Sequence, residues 1–230
     1  IASDAHGKSC ALHGTIKNSI KEMTIFHIKN GWLSLSEKEN NEIYNLTIGG
    51  IGLTGTIVNV TLKLKEFKNK NFITYKTKVN SVNECISEIT KKSKEKDSFV
   101  YSWNMAENLK SLGKGFIFQN KTNNDNVENF KFIPEEKKNK FLPFLPIWNK
   151  LTLKTANWIF YYLNSSSNHF QEDDFTSVIF PFYGKEAYFK FFGKKGFYES
   201  QLLISENTIE DFFDEFKFIY KKFNPTISLF

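Results

Sequence analysis

The chain has 230 residues, of which 40% are hydrophobic and 24% charged; these values are typical of globular proteins and exclude wholesale disorder and a bundle of membrane helices. The net charge of +6 does not predict a nucleic-acid binder, because the cations are scattered along the chain and none of them is an arginine. The two cysteines, Cys10 and Cys85, are too few for a disulfide framework and lack zinc-ligand spacing, so a cytoplasmic protein without a metal site is expected.

The first third of the chain predicts a β-hairpin, a short helix and a strand. The hairpin joins Thr24–Ile28 to Trp32–Ser36 through Asn30 and Gly31, residues that favour tight turns. Ser36, with Glu39 three residues later, has the spacing of a capping box that opens a helix. The strand Thr56–Lys65 is expected to bury alternate residues, namely Val58, Val60, Leu62 and Leu64.

A second pattern begins after a predicted domain boundary at residues 66–70. Phe72–Val79 and Phe99–Trp103 are predicted strands, and Ser81–Lys92 is a predicted amphipathic helix between them. Residues 120–140 are polar and without periodicity, which is typical of a long surface loop. Lys150–Leu163 is a predicted helix, whose apolar stretch Trp158–Tyr162 is expected to face the core.

The last third is predicted to contain two strands, Thr176–Phe180 and Tyr198–Ile204, with the acidic run 172–174 in a solvated turn. Asn207, with Glu210 three residues on, predicts the start of a helix. That helix is expected to direct five apolar residues inward: Ile209, Phe212, Phe213, Phe216 and Tyr220. The mixture of strands and helices predicts an α+β fold in which helices cover a sheet.

Two short segments contain residues that are typical of a loop whose backbone binds a ligand. Ile1–Lys8 reads I-A-S-D-A-H-G-K, and Thr47–Val58 reads T-I-G-G-I-G-L-T-G-T-I-V. Glycines in such a window allow unusual backbone angles and close approach to a ligand, although a glycine cluster before a strand is about as often a bend. The spacing matches neither a Walker A loop nor the strand-to-helix context of a Rossmann fingerprint.

Together the two segments resemble the second half of the FAD-binding domain of vanillyl-alcohol-oxidase-type flavoproteins. Within that family the chain is most similar to the branch of decaprenylphosphoryl-ribose 2-oxidase and aldonolactone oxidase. The resemblance implies that residues 1–68 form the C-terminal part of an FAD-binding domain. It implies that residues 69–230 form an antiparallel-sheet substrate domain covered by helices and truncated at its C-terminus. A fragment lacking both ends in this way is expected to be inactive alone.

The resemblance also implies roles for individual residues. FAD would lie against the backbone or side chains of nine residues: Ser3, Asp4, Ala5, His6, Gly7, Gly49, Gly50, Gly55 and Ile57. His6 and Lys8 would take part in catalysis, and Lys8, Trp103 and Gln201 would hold the substrate. On the residues alone, His6 is better explained as a structural loop histidine, and Trp103 as a core aromatic.

The activity implied is the oxidation of a hydroxyl group of a sugar, a polyprenyl-phosphate sugar or an aldonolactone by hydride transfer to the flavin. The departures from the family motif include Ser9, Cys10 and Ala11 where N-H-H is usual and Glu199 where a glutamine is usual; they leave the substrate open. A partner reductase and peripheral association with a membrane belong to the same expectation. The alternative is a non-enzymatic domain that binds glycans or proteins through its aromatic residues, which make up 17% of the chain.

Overall fold

The computed structural model describes residues 1–8, 10–64, 71–95, 98–122, 145–164, 170–183, 187–202 and 204–229. Within these residues helices are combined with antiparallel sheets, which confirms the predicted α+β class. The chain divides into two compact units, the first made of residues 1–68 with 92–100 and the second of residues 69–91 with 101–230. The predicted boundary at 66–70 lies outside the described residues, and the cofactor and substrate roles of residues 1–68 and 69–230 stay predictions.

The first unit contains a three-stranded antiparallel sheet in the order β2–β1–β3. Its elements are α1 (Cys10–His13), a 3₁₀ helix (Ile16–Ser19), β1 (Ile20–His27), β2 (Gly31–Ser36), α2 (Asn41–Thr47) and β3 (Thr56–Leu62). The predicted hairpin is confirmed, since His27 pairs with Gly31 across the turn. Gly31 takes a φ of +70°, a left-handed angle that glycine adopts without steric cost.

The core of the first unit lies on one face of this sheet. Its buried side chains are Ile20, Met23, Ile25, Leu35, Tyr44 and Ile48. A register shift between Ile20 and Glu22 inserts a bulge into β1, and as a result Met23 returns to the buried face. The Tyr44 hydroxyl donates to the Ile20 carbonyl at 3.2 Å, which links α2 to the strand. Each such buried side chain stabilises the fold by about 1.5–3 kcal/mol.

The predicted buried face of β3 is wrong at three of its four positions, and only Val60 packs inward as predicted. Ile57 and Val60 pack against the core, whereas the exposed members of the predicted inward set are Val58, Leu62 and Leu64. A second register shift, between Thr24 and Ile25, leaves Val58 opposite no residue of β1. An extra residue in a strand exchanges its two faces, and an alternating pattern in the sequence does not reveal it.

Ser36 and Glu39 do not open a helix as predicted. The Ser36 hydroxyl accepts a hydrogen bond from the Glu39 N–H at 3.0 Å, but this contact closes a turn. Helix α2 begins only at Asn41, after Asn40 in the left-handed region with a φ of +50°. Serine caps turns by the same local contact as it caps helices, so the motif alone does not distinguish them.

A four-stranded sheet in the order β5–β6–β4–β7 belongs to the second unit, apart from the first residues of β5. Its strands are β4 (Asn71–Val79), β5 (Ser98–Asn104), β6 (Gly115–Thr122) and β7 (Phe170–Asp174). Its helices are α3 (Val82–Ser93), α4 (Lys150–Leu163), α5 (Phe175–Ile179), α6 (Ala187–Lys190), a 3₁₀ helix (Glu206–Thr208) and α7 (Ile209–Phe223). The predicted strand–helix–strand order of β4, α3 and β5 is confirmed. Strand β6 was missed, because its last residues were assigned to the polar loop; the rest of that loop, residues 123–144, lies outside the described residues.

Helix α4 has the predicted bounds but not the predicted orientation. Asn149 caps it, since its side-chain oxygen accepts from the backbone N–H of Thr152 at 3.1 Å while the Thr152 hydroxyl accepts from the Asn149 N–H at 2.9 Å. The side chains buried on this helix are Leu153 and Asn157, whereas Trp158 is 58% exposed. The capping residues therefore determine where the helix begins, whereas packing against the rest of the unit determines which of its faces is buried.

Four predictions for the last third are wrong: the solvated turn at 172–174, the strands 176–180 and 198–204, and the helix start at Asn207. The acidic run 172–174 lies in β7, and the Asp174 carboxylate caps α5 by accepting from the Ser177 N–H at 3.0 Å, so residues 175–179 are helical. Among residues 198–202 and 204 no strand forms. Helix α7 starts at Ile209 rather than at Asn207, although Phe213 and Tyr220 are buried as predicted.

The interior of the second unit includes a buried carboxylate, Glu107, held by neutral donors. The Ser111 hydroxyl donates to one of its oxygens at 2.8 Å and the Asn157 amide to the other at 3.0 Å. The Tyr220 hydroxyl donates to the Glu107 carbonyl at 2.6 Å, and burial, followed by the nearby carboxylate, raises the pKa of that tyrosine. These bonds join the loop after β5 to α4 and α7, and they satisfy polar groups that would be costly to bury alone.

Candidate functional site

The two segments that resemble a flavin-binding backbone lie side by side in the first unit. The Gly49 N–H donates to the Ile1 carbonyl at 3.2 Å, and the Ile51 N–H donates to the Ala2 carbonyl at 2.9 Å. A Cβ added to Gly49 would lie 3.4 Å from the Cβ of Asp4, so the two backbones are in van der Waals contact. Residues 45 to 49 positions apart in the sequence therefore form one continuous surface.

The N-terminal segment is held by the residues that follow it. The Ile16 N–H donates to the Ala5 carbonyl at 2.9 Å, and His6 forms an isolated antiparallel bridge with Thr15. Asp4 takes a φ of +46°, an angle uncommon for a residue with a side chain, and its carboxylate accepts from the Lys17 N–H at 3.4 Å. These contacts fix the path of residues 1–8 without covering it.

The surface formed by the two segments offers free backbone donors. Ser3, Ala5 and Gly52 are exposed, and in the part of the chain that the structure describes their N–H groups donate no hydrogen bond. Exposed N–H groups in irregular backbone are suited to acceptor atoms such as carbonyl and phosphate oxygens. Gly52 and the adjacent Ile51, with a φ of +51°, were not among the predicted cofactor residues, although the G-x-G spacing in this window was a signal for them.

Most of the glycines in the turn are required by the fold. A Cβ on Gly50 would lie 2.0 Å from the Leu46 carbonyl oxygen, and a Cβ on Gly55 would lie 2.7 Å from the Phe26 carbonyl oxygen. Gly49 takes a φ of +78°. Gly7 differs, because its φ is not positive and a Cβ there would meet no atom within 4 Å. The local structure therefore explains the glycines of the turn but not the glycine at position 7.

The two predicted catalytic side chains have different surroundings. His6 is exposed, whereas Lys8 is half-buried and burial lowers its pKa to about 8. An amine with such a pKa exists in both the charged and the neutral form near neutral to mildly alkaline pH, so it can donate or accept a proton. The remaining predicted residue of the first unit, Ile57, pairs with Ile25 in the sheet and directs its side chain to the core.

The other two predicted substrate residues, Trp103 and Gln201, belong to the second unit. Trp103 is half-buried in an aromatic cluster, with ring centroids 4.4 Å from Phe160 and 6.2 Å from Phe116. Gln201 is exposed in an irregular stretch after Gly196. Aromatic packing accounts for the position of Trp103, and its role in substrate binding stays a prediction.

Within the described residues, no group of three or more His, Cys, Asp and Glu side chains is placed to hold a metal ion. The same part of the chain contains no helix with the length and apolar character needed to cross a bilayer. No protein-family model and no curated protein matches the sequence.

Proposed function

We propose that the chain is part of an FAD-dependent oxidoreductase that oxidises a hydroxyl group of a sugar, a lipid-linked sugar or an aldonolactone. The observation that carries this proposal is the pairing of residues 1–8 with the turn 47–57, which brings the two halves of the motif onto one exposed surface. Side chains do not cover this surface at Ser3, Ala5 or Gly7, where a planar ligand would need room.

The residues present fit a flavin nucleotide in two respects. The free N–H groups of Ser3, Ala5 and Gly52 are donors for the oxygens of the ring or of the phosphates. The open space beside Gly7 would be lost to any side chain at that position, so glycine is the residue that keeps it available. When bound, the flavin would supply the redox chemistry by accepting a hydride from the carbon that bears the hydroxyl group.

The contribution of this chain would be positioning and proton handling. The backbone of Asp4, held by its bonds to Ile1 and Lys17, would keep the exposed surface in place. Lys8, with its lowered pKa, would bind the substrate oxygen and exchange a proton with it, and the exposed imidazole of His6 would be a second donor beside it. FAD is thus the cofactor expected, and the substrate is expected to be a neutral or phosphorylated sugar derivative.

The experiment that tests the proposal uses the protein expressed from its complete gene. It should purify with a yellow flavin spectrum that bleaches when a sugar or lactone substrate is added without oxygen. The Gly7→Val variant should bind FAD about tenfold or more weakly, because a clash of about 1.4 kcal/mol corresponds to tenfold in affinity. Ser34→Val, on the exposed side of β2, adds similar bulk and should leave FAD binding unchanged. A colourless protein that cannot be reconstituted with FAD would refute the proposal.

One observation supports a second candidate function of another class, a non-enzymatic domain that binds glycans or a protein partner. On α4, Trp158 is 58% and Tyr162 63% exposed, and their ring centroids lie 4.8 Å apart. Exposed aromatic pairs are surfaces on which sugar rings and partner side chains pack. Loss of glycan binding in Trp158→Ala, in a protein that contains no flavin, would favour this candidate.

A further inference from the structure

Two lysines lie on one face of β4 in the second unit. Lys76 and Lys78 are two residues apart, and they pair with Phe118 and Phe116 of β6, respectively. Side chains two apart in a strand point to the same side, so both lysines lie on the face that carries these phenylalanines. Both are half-buried.

The two ammonium groups converge on one pair of aromatic rings. The Lys76 Nζ lies 5.4 Å from the centroid of Phe116, the residue that pairs with Lys78, so the Lys76 side chain leans along the strand toward Lys78. The Lys78 Nζ lies 4.7 Å from the centroid of Tyr161 on α4. The rings of Phe116 and Tyr161 are 5.5 Å apart. The Tyr161 hydroxyl donates to the Asn80 side-chain oxygen at 3.2 Å, which holds that ring in place.

Neither lysine has a negatively charged partner within the described residues. The polar contact of Lys76 is the neutral side-chain oxygen of Asn164 at 3.4 Å, and the contact of Lys78 is the face of Tyr161. Burial lowers the pKa of Lys76, which is the expected effect of removing an ammonium group from water without a counter-ion. Two half-buried cations with only neutral partners create a positive potential that favours an anion between them.

Contact with the end of a helix accounts for the position of one of the two lysines. Asn164 is the C-cap of α4, so Lys76 lies where the carbonyl groups at the end of the helix carry partial negative charge. Lys78 lies opposite Tyr161, one turn before that end, and has no such partner. The ring of Tyr161 positions Lys78 without neutralising it, so the pair keeps two positive charges with no anionic partner within the described residues.

We propose that Lys76 and Lys78 form a binding site for an oxyanion, either a phosphate or a carboxylate group, between the two ammonium groups and beside the rings of Phe116 and Tyr161. Lysine ammonium groups are point charges with several donors, and they bind phosphate and carboxylate oxygens by charge-assisted hydrogen bonds. The site does not depend on flavin binding, because it lies entirely in the second unit.

The test measures anion binding by isothermal titration calorimetry at constant ionic strength. Sodium phosphate and sodium succinate are the two probes, with sodium chloride as the reference, and they distinguish a phosphate ligand from a carboxylate ligand. Saturable binding of either probe is expected. Lys76→Gln and Lys78→Gln should each weaken it about tenfold, the usual effect of removing one charge-assisted hydrogen bond. Lys78→Arg, which keeps the charge, should restore most of the affinity.

The matched control is Lys154→Gln, which removes an exposed positive charge from α4 in the same unit and should leave binding unchanged. Circular dichroism checks that each variant is folded, and if Lys76→Gln is destabilised by loss of its contact with the end of α4, Lys78→Gln decides the result. Equal weakening by all three Gln variants would overturn the proposal, since it would mean that only net charge matters. The absence of saturable binding of both probes would overturn it as well.

Discussion

The N-terminal segment 1–8 and the glycine-rich turn 47–57 are neighbours in the first unit, but the fold requires glycine in only one of them. In the turn, Gly50 and Gly55 are needed because any Cβ would collide with a backbone carbonyl oxygen. In the N-terminal segment, the φ of Gly7 is not positive, and a Cβ added there would meet no atom within 4 Å. A glycine that the fold requires is no evidence for a ligand, whereas Gly7 leaves open a space that a ligand could use.

The two halves of the motif therefore differ in how strongly they support a bound cofactor. The cluster at Gly49, Gly50 and Gly55 resembles a flavin loop, yet the packing of the first unit is sufficient to explain it. Beyond the pairing of the two segments, the support for a cofactor therefore depends on Gly7 and on the exposed N–H groups of Ser3, Ala5 and Gly52. Four substitutions test the comparison, in order of decreasing effect.

Gly50→Ala is expected to have the largest effect on stability. Its Cβ would lie 2.0 Å from the Leu46 carbonyl oxygen, so the turn or the end of α2 must move. The free energy of unfolding should fall by at least about 3 kcal/mol, at the upper end for overpacking. Urea denaturation followed by circular dichroism measures it. A change smaller than about 1 kcal/mol would show that the fold does not require this glycine.

Gly55→Ala should destabilise the protein by about 2 kcal/mol, the sum of a milder clash and backbone strain. The residue has a φ of +135°, and a Cβ would lie 2.7 Å from the Phe26 carbonyl oxygen. The same denaturation experiment applies, and Gly31→Ala is the control, since its φ of +70° is strained but no atom lies within 4 Å. Equal losses in the two variants would mean that strain alone, without the clash, decides the effect.

Lys8→Met is expected to change the pH dependence of stability. The native pKa is lowered from 10.5 to about 8, so between these values the unfolded chain binds more protons than the native one, and stability rises with pH in that window. Replacement by Met should remove this rise in the free energy of unfolding. A difference of one full bound proton would give a slope of ~1.4 kcal/mol per pH unit. The slope due to Lys8 should be a fraction of that value, because the side chain is only partly buried. Denaturation curves across the window measure the slope, with Lys21→Met, an exposed lysine, as control. An unchanged slope would contradict the burial of the Lys8 amine.

Gly7→Ala should have the smallest effect on stability, within about 0.5 kcal/mol, because the added methyl group meets no atom and no strained angle. The same variant should nevertheless weaken FAD binding, and a combination of normal stability with lost flavin is the outcome that a purely structural glycine would not produce. Destabilisation by more than about 1 kcal/mol would place Gly7 with the glycines of the turn.

Much of the fold was accessible from local signals. The Asn30-Gly31 turn predicted the hairpin, and the threefold and fourfold spacing of apolar residues predicted α3 between β4 and β5. The bounds of α4 at Lys150 and Leu163 were also correct, because the Asn149 cap and the length of the pattern are encoded within a few residues. No pattern of neighbouring residues indicates that segment 1–8 pairs with the turn 47–57.

The sequence by itself determined the α+β class, the hairpin, the strand–helix–strand order and the ends of α4, all of which depend on propensities within a few neighbouring residues. Tertiary structure alone decided which face of β3 and of α4 is buried, and that Gly55 is needed because the Phe26 carbonyl of β1 lies against it. The physical reason is that a bulge in a paired strand, or a carbonyl approaching from another element, changes these features through residues distant in the sequence, where no pattern of adjacent residues records it.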